Sequence, residues 1–151
     1  MTKTFNPWTA HYPIAKPFID FATLIQKSLE PSLMELVKIR ASQINGCAFC
    51  LKMHTTEARR AGETEERIYL LDAWRESVLY SDRERAALGW TEALTRLIPA
   101  ELPEARRVLA AAFSEEEQTK LSLMIVAING FNRINAGLGL TDETPLPRKA
   151  A

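Results

Sequence analysis

The sequence predicts an all-α fold, and three observations support this. Apolar residues recur every three or four positions along most of the chain, as on the buried face of a helix. Two capping boxes, Ser81 with Glu84 and Ser114 with Glu117, mark helix starts. No segment alternates apolar and polar residues as a half-buried strand would. We therefore expect the 151 residues to form a single compact helical domain. The apolar pattern predicts about six to seven helices.

The first segment, residues 1–16, is predicted to be an extended arm. Three prolines interrupt any regular pattern in or next to it: Pro7, Pro13 and Pro17. Its aromatic residues are Phe5, Trp8 and Tyr12. Because these rings would be exposed to water on a free arm, we expect the arm to lie against the body of the protein or against a neighbouring subunit.

Two helices follow, each beginning at a proline. Pro17 is expected to open a helix that runs to about Leu29, and Pro31 a second that runs to about Ile44, since proline is favoured in a first helical turn. The second helix ends at Asn45-Gly46, residues that tolerate a left-handed backbone. A third helix begins at or just before Cys47 and ends at Gly62. Its predicted inner face contains Cys47, Cys50, Leu51, His54, Ala58 and Ala61.

The remaining helices are predicted from caps and prolines. One runs from about Thr64 to Ala73 and is followed by an aromatic corner around Trp74 and Tyr80. The others are expected at residues 81–97, 103–113 and 114–136. Residues 121–128 are apolar on every side, so the last helix should be central or buried between subunits. The tail, residues 141–151, is expected to be frayed.

Charge and hydropathy exclude several classes of function. Lys plus Arg and Asp plus Glu both number 19, whereas a nucleic-acid binder normally has a basic excess. The N-terminal segment lacks the basic flank and apolar core of a signal peptide, and residues 121–128 are too few to span a bilayer. We therefore expect a cytoplasmic protein without nucleic-acid or membrane partners. In that compartment a thiol pair is more often catalytic, redox-sensing or metal-binding than structural.

Both cysteines occur in the stretch Cys47-Ala48-Phe49-Cys50, which is followed by His54. Two thiols at this spacing can form a disulfide across one helical turn, and His54 lies one turn beyond Cys50. The reactive species is the thiolate. A helix N-terminus stabilises its negative charge, and a histidine can form it by accepting the thiol proton. We assign Cys50, the cysteine nearer His54, as the attacking thiol and Cys47 as the resolving thiol.

Other interpretations of the same residues remain open. The cysteines could be two small buried hydrophobes. They could bind zinc with His54 and with Glu35 or water as the fourth ligand, although structural zinc sites usually draw a second ligand pair from a distant segment. No cofactor or resident metal is expected. On the residues alone, Glu35 is better explained as an exposed partner of Lys38 one turn on.

Residues from about 33 to 97 resemble the carboxymuconolactone decarboxylase superfamily, and within it the alkylhydroperoxidase D-like branch. The motif of that branch is a glutamate, eleven intervening residues and Cys-x-x-Cys-x-x-x-His, which here corresponds to Glu35, Cys47, Cys50 and His54. Three further segments also resemble the family: residues 57–62, 82–88 and 129–133.

The resemblance implies an all-α protein that assembles into oligomers, often trimers or hexamers, and reduces hydroperoxides. It makes Cys50 the peroxidatic thiol, Cys47 its disulfide partner, His54 the base and Glu35 a member of the proton relay. It also implies an external dithiol reductant, for which a lipoylated protein is one candidate. This replaces the interpretation of Glu35 as an exposed partner of Lys38.

One position departs from the pattern. The characterised peroxidase of the branch has a histidine immediately before its second cysteine, where this chain has Phe49. This substitution predicts weaker peroxidase activity or a different substrate. Two rival functions are a non-catalytic oligomeric module that senses redox state or binds metal, and a decarboxylase-type enzyme. The decarboxylase branch works without the cysteine pair, which disfavours its chemistry here.

Overall fold

A computed structural model describes residues 4–146, which form eight α-helices and no strand. The helices are α1 (Pro7–Ala10), α2 (Tyr12–Gln26), α3 (Pro31–Asn45), α4 (Ala48–Arg60), α5 (Glu65–Tyr69), α6 (Asp82–Arg96), α7 (Leu102–Ala112) and α8 (Glu115–Gly137). A short 3-10 helix, Leu71–Ala73, lies between α5 and α6. The all-α prediction is confirmed. The described part contains one helix more than the upper predicted number, because the N-terminal segment is also helical.

Helix α3 lies at the centre of the fold. Every residue from 33 to 42 is buried, and the helix packs against α4, α6 and α8. Helix α7 covers α6, and α2 lies along α8. One core cluster joins α3 to α6, α7 and α8 through Leu33, Val37, Ala86, Leu109, Phe113 and Ile125. Because α3 is buried on all sides, its polar side chains must form hydrogen bonds or ion pairs with side chains of the neighbouring helices.

Arg40 of α3 and Glu92 of α6 form the centre of a buried ion-pair network. Arg40 Nε and Trp74 Nε1 each donate to Glu92 Oε1 at 2.8 Å. Arg75 and Arg96 donate to Glu92 Oε2 at 2.6 and 3.1 Å. Burial opposes ionisation of Glu92, but these donors outweigh it, so the pKa of Glu92 lies below its ordinary value. The network therefore contains a buried carboxylate with every oxygen paired.

The helix ends follow the local signals in the sequence. Gly46 ends α3 with a left-handed backbone, φ 64°, which favours glycine because a Cβ would be strained there. Ser81 with Glu84 and Ser114 with Glu117 form complete capping boxes at the starts of α6 and α8. These predictions are confirmed, since each depends on residues adjacent in sequence.

The prediction of an extended arm over residues 1–16 is wrong for residues 7–16. Pro7 and Pro13 lie in the first turns of α1 and α2, where a missing N–H costs nothing. Pro17, expected to open a helix, instead lies inside α2. Its missing N–H leaves one backbone hydrogen bond of α2 unmade. Phe18, the next residue, packs in an aromatic cluster. The Trp8 and Phe18 ring centroids lie 4.8 and 4.5 Å from that of Phe131.

The predicted frayed tail also differs from the structure over residues 141–146. Leu140 is buried, and Leu146 packs against the cluster that contains Cys47, Phe49 and Cys50. Lys52 Nζ of α4 donates to the backbone oxygen of Asp142 at 2.5 Å. This segment therefore covers the cysteine pair. Residues 147–151 lie outside the described part of the chain.

Helix α8 is central, as predicted, but it also has an exposed apolar side. Leu121, Met124, Ile125 and Ile128 are buried, whereas Val126 is 59 % exposed. Ile134 and the C-cap residue Leu138, about two and three turns beyond Val126, are also exposed apolar residues. None of the described helices, α8 included, is long and apolar enough to cross a membrane.

We predict that Glu92→Ala lowers the free energy of unfolding by about 3 kcal/mol, because the buried Arg40 Nε and Trp74 Nε1 lose their acceptor, although Asp72 still pairs with Arg40. Denaturant unfolding followed by circular dichroism measures the change. Glu104→Ala is the matched control, because Glu104 pairs with Arg107 on an exposed surface and should contribute little. Equal destabilisation by the two variants would contradict a structural role for the network.

Candidate active site

The cysteine pair lies at the junction of α3 and α4. The left-handed turn at Gly46 leads into Cys47, which is the N-cap of α4, and Cys50 lies within the first turn. The two residues are joined as a disulfide, and Cys47 Sγ also accepts a hydrogen bond from the Cys50 backbone N–H at 3.3 Å. Because unpaired N–H groups point out of a helix N-terminus, both sulfurs lie where negative charge is stabilised.

Asn135 of α8 supplies a second donor at this site. Its Nδ2 donates to Cys50 Sγ at 3.2 Å, while its Oδ1 accepts from Trp8 Nε1 at 2.6 Å. An indole N–H can only donate, so Trp8 determines which end of the amide faces the sulfur. In the reduced protein the same amide would donate to a Cys50 thiolate and favour it.

Sequence reasoning missed Asn135 and did not assign Trp8 to the site. Asn135 lies 85 residues after Cys50, and no local pattern distinguishes it from the other asparagines of α8. Trp8 was expected only to pack against the body or a neighbour. Both contacts arise because α1 and α8 meet beside α4, which depends on tertiary packing.

Glu35 of α3 lies between Lys38 and His54. Its Oε1 accepts from Lys38 Nζ at 2.6 Å, and its Oε2 lies 3.4 Å from His54 Nδ1. Within the described residues, neither Glu35 Oε2 nor His54 Nδ1 makes a hydrogen bond, and the two atoms are close enough for an ion pair when His54 is protonated. Only 8 % of Glu35 is exposed. Glu35 does pair with Lys38, as its residue pattern suggested, but the expectation that it is exposed is wrong.

These contacts determine the charge states of the site. Burial opposes ionisation of Glu35, but the neighbouring His54 and the Lys38 ammonium together lower its pKa below the ordinary value. Burial also lowers the pKa of His54, against the opposing effect of Glu35. At neutral pH the arrangement therefore combines a Glu35 carboxylate with a neutral His54 imidazole. A neutral imidazole can accept a proton.

A cavity of about 760 Å³ adjoins the pair. Asn135, His54, Lys38 and Phe49 line it near the cysteines, and most of the remaining wall comes from side chains of α1, α2 and α8. The sulfurs themselves are buried, with Cys50 0 % and Cys47 1 % exposed. The cavity reaches the Phe49, His54 and Asn135 side chains, of which Asn135 bonds to Cys50 Sγ.

The structure brings the four predicted site residues together in two pairs: Cys47 and Cys50 form a disulfide, and Glu35 Oε2 lies 3.4 Å from His54 Nδ1. Cys50 and His54 lie one turn apart on α4. Among the described residues, His54 makes no hydrogen bond to either sulfur in this disulfide form. Its role as the base therefore stays a prediction. Within residues 4–146, no group of three or more His, Cys, Asp or Glu side chains could hold a metal ion.

A family model matches residues 14–93, that of the carboxymuconolactone decarboxylase family. The uncharacterised protein YdfG of Bacillus subtilis (strain 168) is 45 % identical over 115 residues, 76 % of this chain and 78 % of that protein. The uncharacterised protein YnjA of Escherichia coli (strain K12) is 31 % identical over 124 residues, 82 % of this chain and 68 % of that protein.

Solved structures share the fold. A protein of unknown function from Agrobacterium tumefaciens, proposed to be an antioxidant defence protein AhpD, superposes with a TM-score of 0.86. It is 39 % identical, over 97 % of this chain and 100 % of that one. The apo debrominase Bmp8 superposes with a TM-score of 0.79 over 89 % of this chain and 74 % of that one. Its identity is 24 %, which supports a common fold alone.

We predict that Asn135→Ala moves the pH midpoint of Cys50 alkylation upward by about one unit, because it removes a hydrogen bond to the thiolate. The measurement is the iodoacetamide reaction rate against pH in a Cys47→Ser background, where Cys50 is the one remaining thiol. Asn129→Ala, which removes an α8 amide bonded to Thr95, is the matched control. An equal shift in both variants would mean that the Asn135 substitution changes the pH midpoint by disturbing the fold, and not by removing the hydrogen bond to Cys50.

His54 should make stability depend on pH. Because its pKa in the folded state lies below its ordinary value of 6.5, the unfolded chain takes up the proton first as pH falls. We predict that the free energy of unfolding decreases as pH falls below about 6.5, and that His54→Asn flattens this profile between pH 7 and pH 5.5. Denaturant titrations at each pH measure it. If His11→Asn flattens the profile as much, the dependence does not arise from His54.

Proposed function

The chain belongs to the carboxymuconolactone decarboxylase family, and we propose that it is a thiol-dependent hydroperoxide reductase that uses the Cys47–Cys50 pair. One observation carries the proposal. The two cysteines form a disulfide at the N-terminus of α4, where Asn135 donates to Cys50 Sγ and a large cavity lies alongside. A pair that can cycle between dithiol and disulfide, with a stabilised thiolate beside a cavity, suits peroxide reduction.

In the first step the Cys50 thiolate attacks the terminal oxygen of a hydroperoxide. A sulfur–oxygen bond forms, the oxygen–oxygen bond breaks, and the products are a Cys50 sulfenic acid and an alcohol. Cys50 supplies two electrons. Its thiol proton passes to His54 and then to the departing alkoxide, so the step is balanced without any further reactant. The Asn135 amide holds the thiolate before the attack.

Glu35 and His54 serve this proton transfer. The pKa of His54 lies below its ordinary value, chiefly through burial, so the imidazole is neutral and can accept the Cys50 proton. Glu35, which is ionised, orients the imidazole and stabilises the imidazolium that forms. Lys38 balances the charge of Glu35 before the reaction. The three groups thus keep the site neutral while the proton moves.

In the second step the Cys47 thiol attacks the sulfenic sulfur of Cys50. The Cys47–Cys50 disulfide forms and one water leaves. An external dithiol then reduces the disulfide by exchange and becomes oxidised itself. Family resemblance favours a lipoylated protein in this role. Because both sulfurs are buried, side chains that cover them must move before a reductant can reach them, and Leu140 and Leu146 are two that pack against the pair.

We place the enzyme in the cytoplasm as a homo-oligomer. Cytoplasmic thiols are kept reduced, as the catalytic cycle requires. The exposed apolar side of α8, with Val126, Ile134 and Leu138, is of the kind that a second copy covers in an oligomer. A trimer or hexamer is the assembly that the family resemblance implies.

A redox-sensing function is the second candidate, and one observation favours it. Leu140 and Leu146 of the C-terminal segment pack directly against the cysteine cluster. Breaking the disulfide would separate the sulfurs and disturb this packing, so the redox state of the pair could control the segment. Such a sensor would respond to oxidation without turnover.

The test counts free thiols in reduced protein before and after one equivalent of cumene hydroperoxide. We predict that both thiols disappear together and that Cys50→Ser abolishes peroxide consumption. Cys47→Ser should consume one equivalent and stop at a sulfenic acid on Cys50, which dimedone traps.

Three other outcomes are informative. Substantial residual turnover in Cys50→Ser would contradict the assignment of the attacking thiol. The reverse pattern in the two variants would exchange the roles of Cys47 and Cys50. Retention of both thiols over minutes would contradict peroxide chemistry and favour the sensor.

A further inference from the structure

The cavity beside the cysteine pair is much larger than peroxide chemistry alone requires. The terminal oxygens of a hydroperoxide are the only atoms that react, and hydrogen peroxide is not far from water in size. One water takes up about 30 Å³ in the liquid. The cavity measures about 760 Å³, within the range of sites for small organic ligands. Its volume therefore indicates an organic substrate with a sizeable body.

The wall of the cavity is mostly apolar. It includes Trp8, Phe49, Met53, Met124, Ile128 and Phe131. Phe49 is the residue that replaces a histidine of the characterised peroxidase, so the substitution makes the wall next to Cys50 more apolar. Trp8 and Phe131 form a continuous aromatic surface, with ring centroids 4.8 Å apart. Such a wall favours a hydrocarbon body over a small polar molecule.

The charges at the cavity have one sign. Among the described residues, its lining includes two lysines, Lys27 and Lys38, and no acidic side chain. The Lys38 ammonium is buried and already donates to Glu35 at 2.6 Å. Lys27 follows the last residue of α2 and is exposed, and its ammonium has no ion-pair or hydrogen-bond partner within the described part. The mouth of the cavity thus has one cation without a counter-ion.

We propose that the cavity takes amphipathic organic hydroperoxides with one anionic group, such as a carboxylate. The hydrocarbon body lies against the aromatic wall, the anion pairs with Lys27, and the hydroperoxide faces His54 and Asn135 near Cys50. This inference rests on the proposed peroxidase function, and it names the class of substrate for that site.

The test compares the hydroperoxide of linoleic acid with the hydroperoxide of its methyl ester, below the concentration at which either forms micelles. The two probes share the reacting group and the hydrocarbon body and differ in one charge. Because an exposed ion pair contributes modestly, we expect the KM of the ester to be about twofold to fivefold higher than that of the acid. The difference should shrink in high salt.

Lys27→Gln should bring the two KM values together. Lys120→Gln is the matched control, because Lys120 is a lysine of α8 that pairs with Glu116 and does not line the cavity. Lys120→Gln should leave the ratio of the two KM values as it is in the wild type. Equal KM values for acid and ester in the wild type would overturn the inference, as would a preference that persists in Lys27→Gln.

A binding measurement separates this inference from the proposed function. The hydroxy acid and hydroxy ester that correspond to the two hydroperoxides are titrated into the oxidised protein by calorimetry, where no chemistry occurs. If the hydroxy acid binds more tightly than the hydroxy ester, and this preference requires Lys27, the anion site is supported. If neither hydroperoxide is turned over in the same protein, the peroxidase function is contradicted. Turnover of both hydroperoxides with equal binding of acid and ester would contradict the anion site alone.

Discussion

The arrangement of this protein depends on pairing the polar side chains of a buried helix. α3 is buried from residue 33 to residue 42, yet this stretch includes Glu35, Arg40 and Ser42. An unpaired charge there would cost several kcal/mol. Glu35 lies against His54 of α4, Arg40 bonds to Glu92 of α6, and Asn132 of α8 donates to Ser42 at 3.0 Å. Each neighbouring helix is therefore held in register by a polar contact as well as by apolar packing.

The cysteine site is a consequence of that arrangement. The turn at Gly46 directs the start of α4 toward α8, and Asn135 then meets Cys50. Trp8 holds the amide of Asn135 in one orientation, which ties α1 to the same site. The environment of one sulfur is thus set by three helices from distant parts of the chain. A pair of cysteines on an isolated helix would have the helix N-terminus alone.

The site separates its polar groups from its apolar groups. His54, Lys38 and Asn135 line the cavity near the cysteines, and the wall farther along α1, α2 and α8 is mostly apolar, with Lys27 at the end of α2 as its cation. Phe49 belongs to the apolar part although it lies between the two cysteines in sequence. The departure from the family pattern therefore lies in the apolar wall of the cavity and not among Glu35, Lys38 and His54.

Most of the helices and the position of the cysteine pair were determined by the sequence itself. Capping boxes, prolines and helical spacing depend on neighbouring residues, so they predicted α3, α4, α6, α7 and α8 closely. The Cys-x-x-Cys spacing is also local, because one helical turn brings its ends together. The helical N-terminal segment, the burial of Glu35, the donor from Asn135 and the cavity required the tertiary structure. Their partners lie on other helices, and no local pattern encodes which side chains distant segments bring into contact.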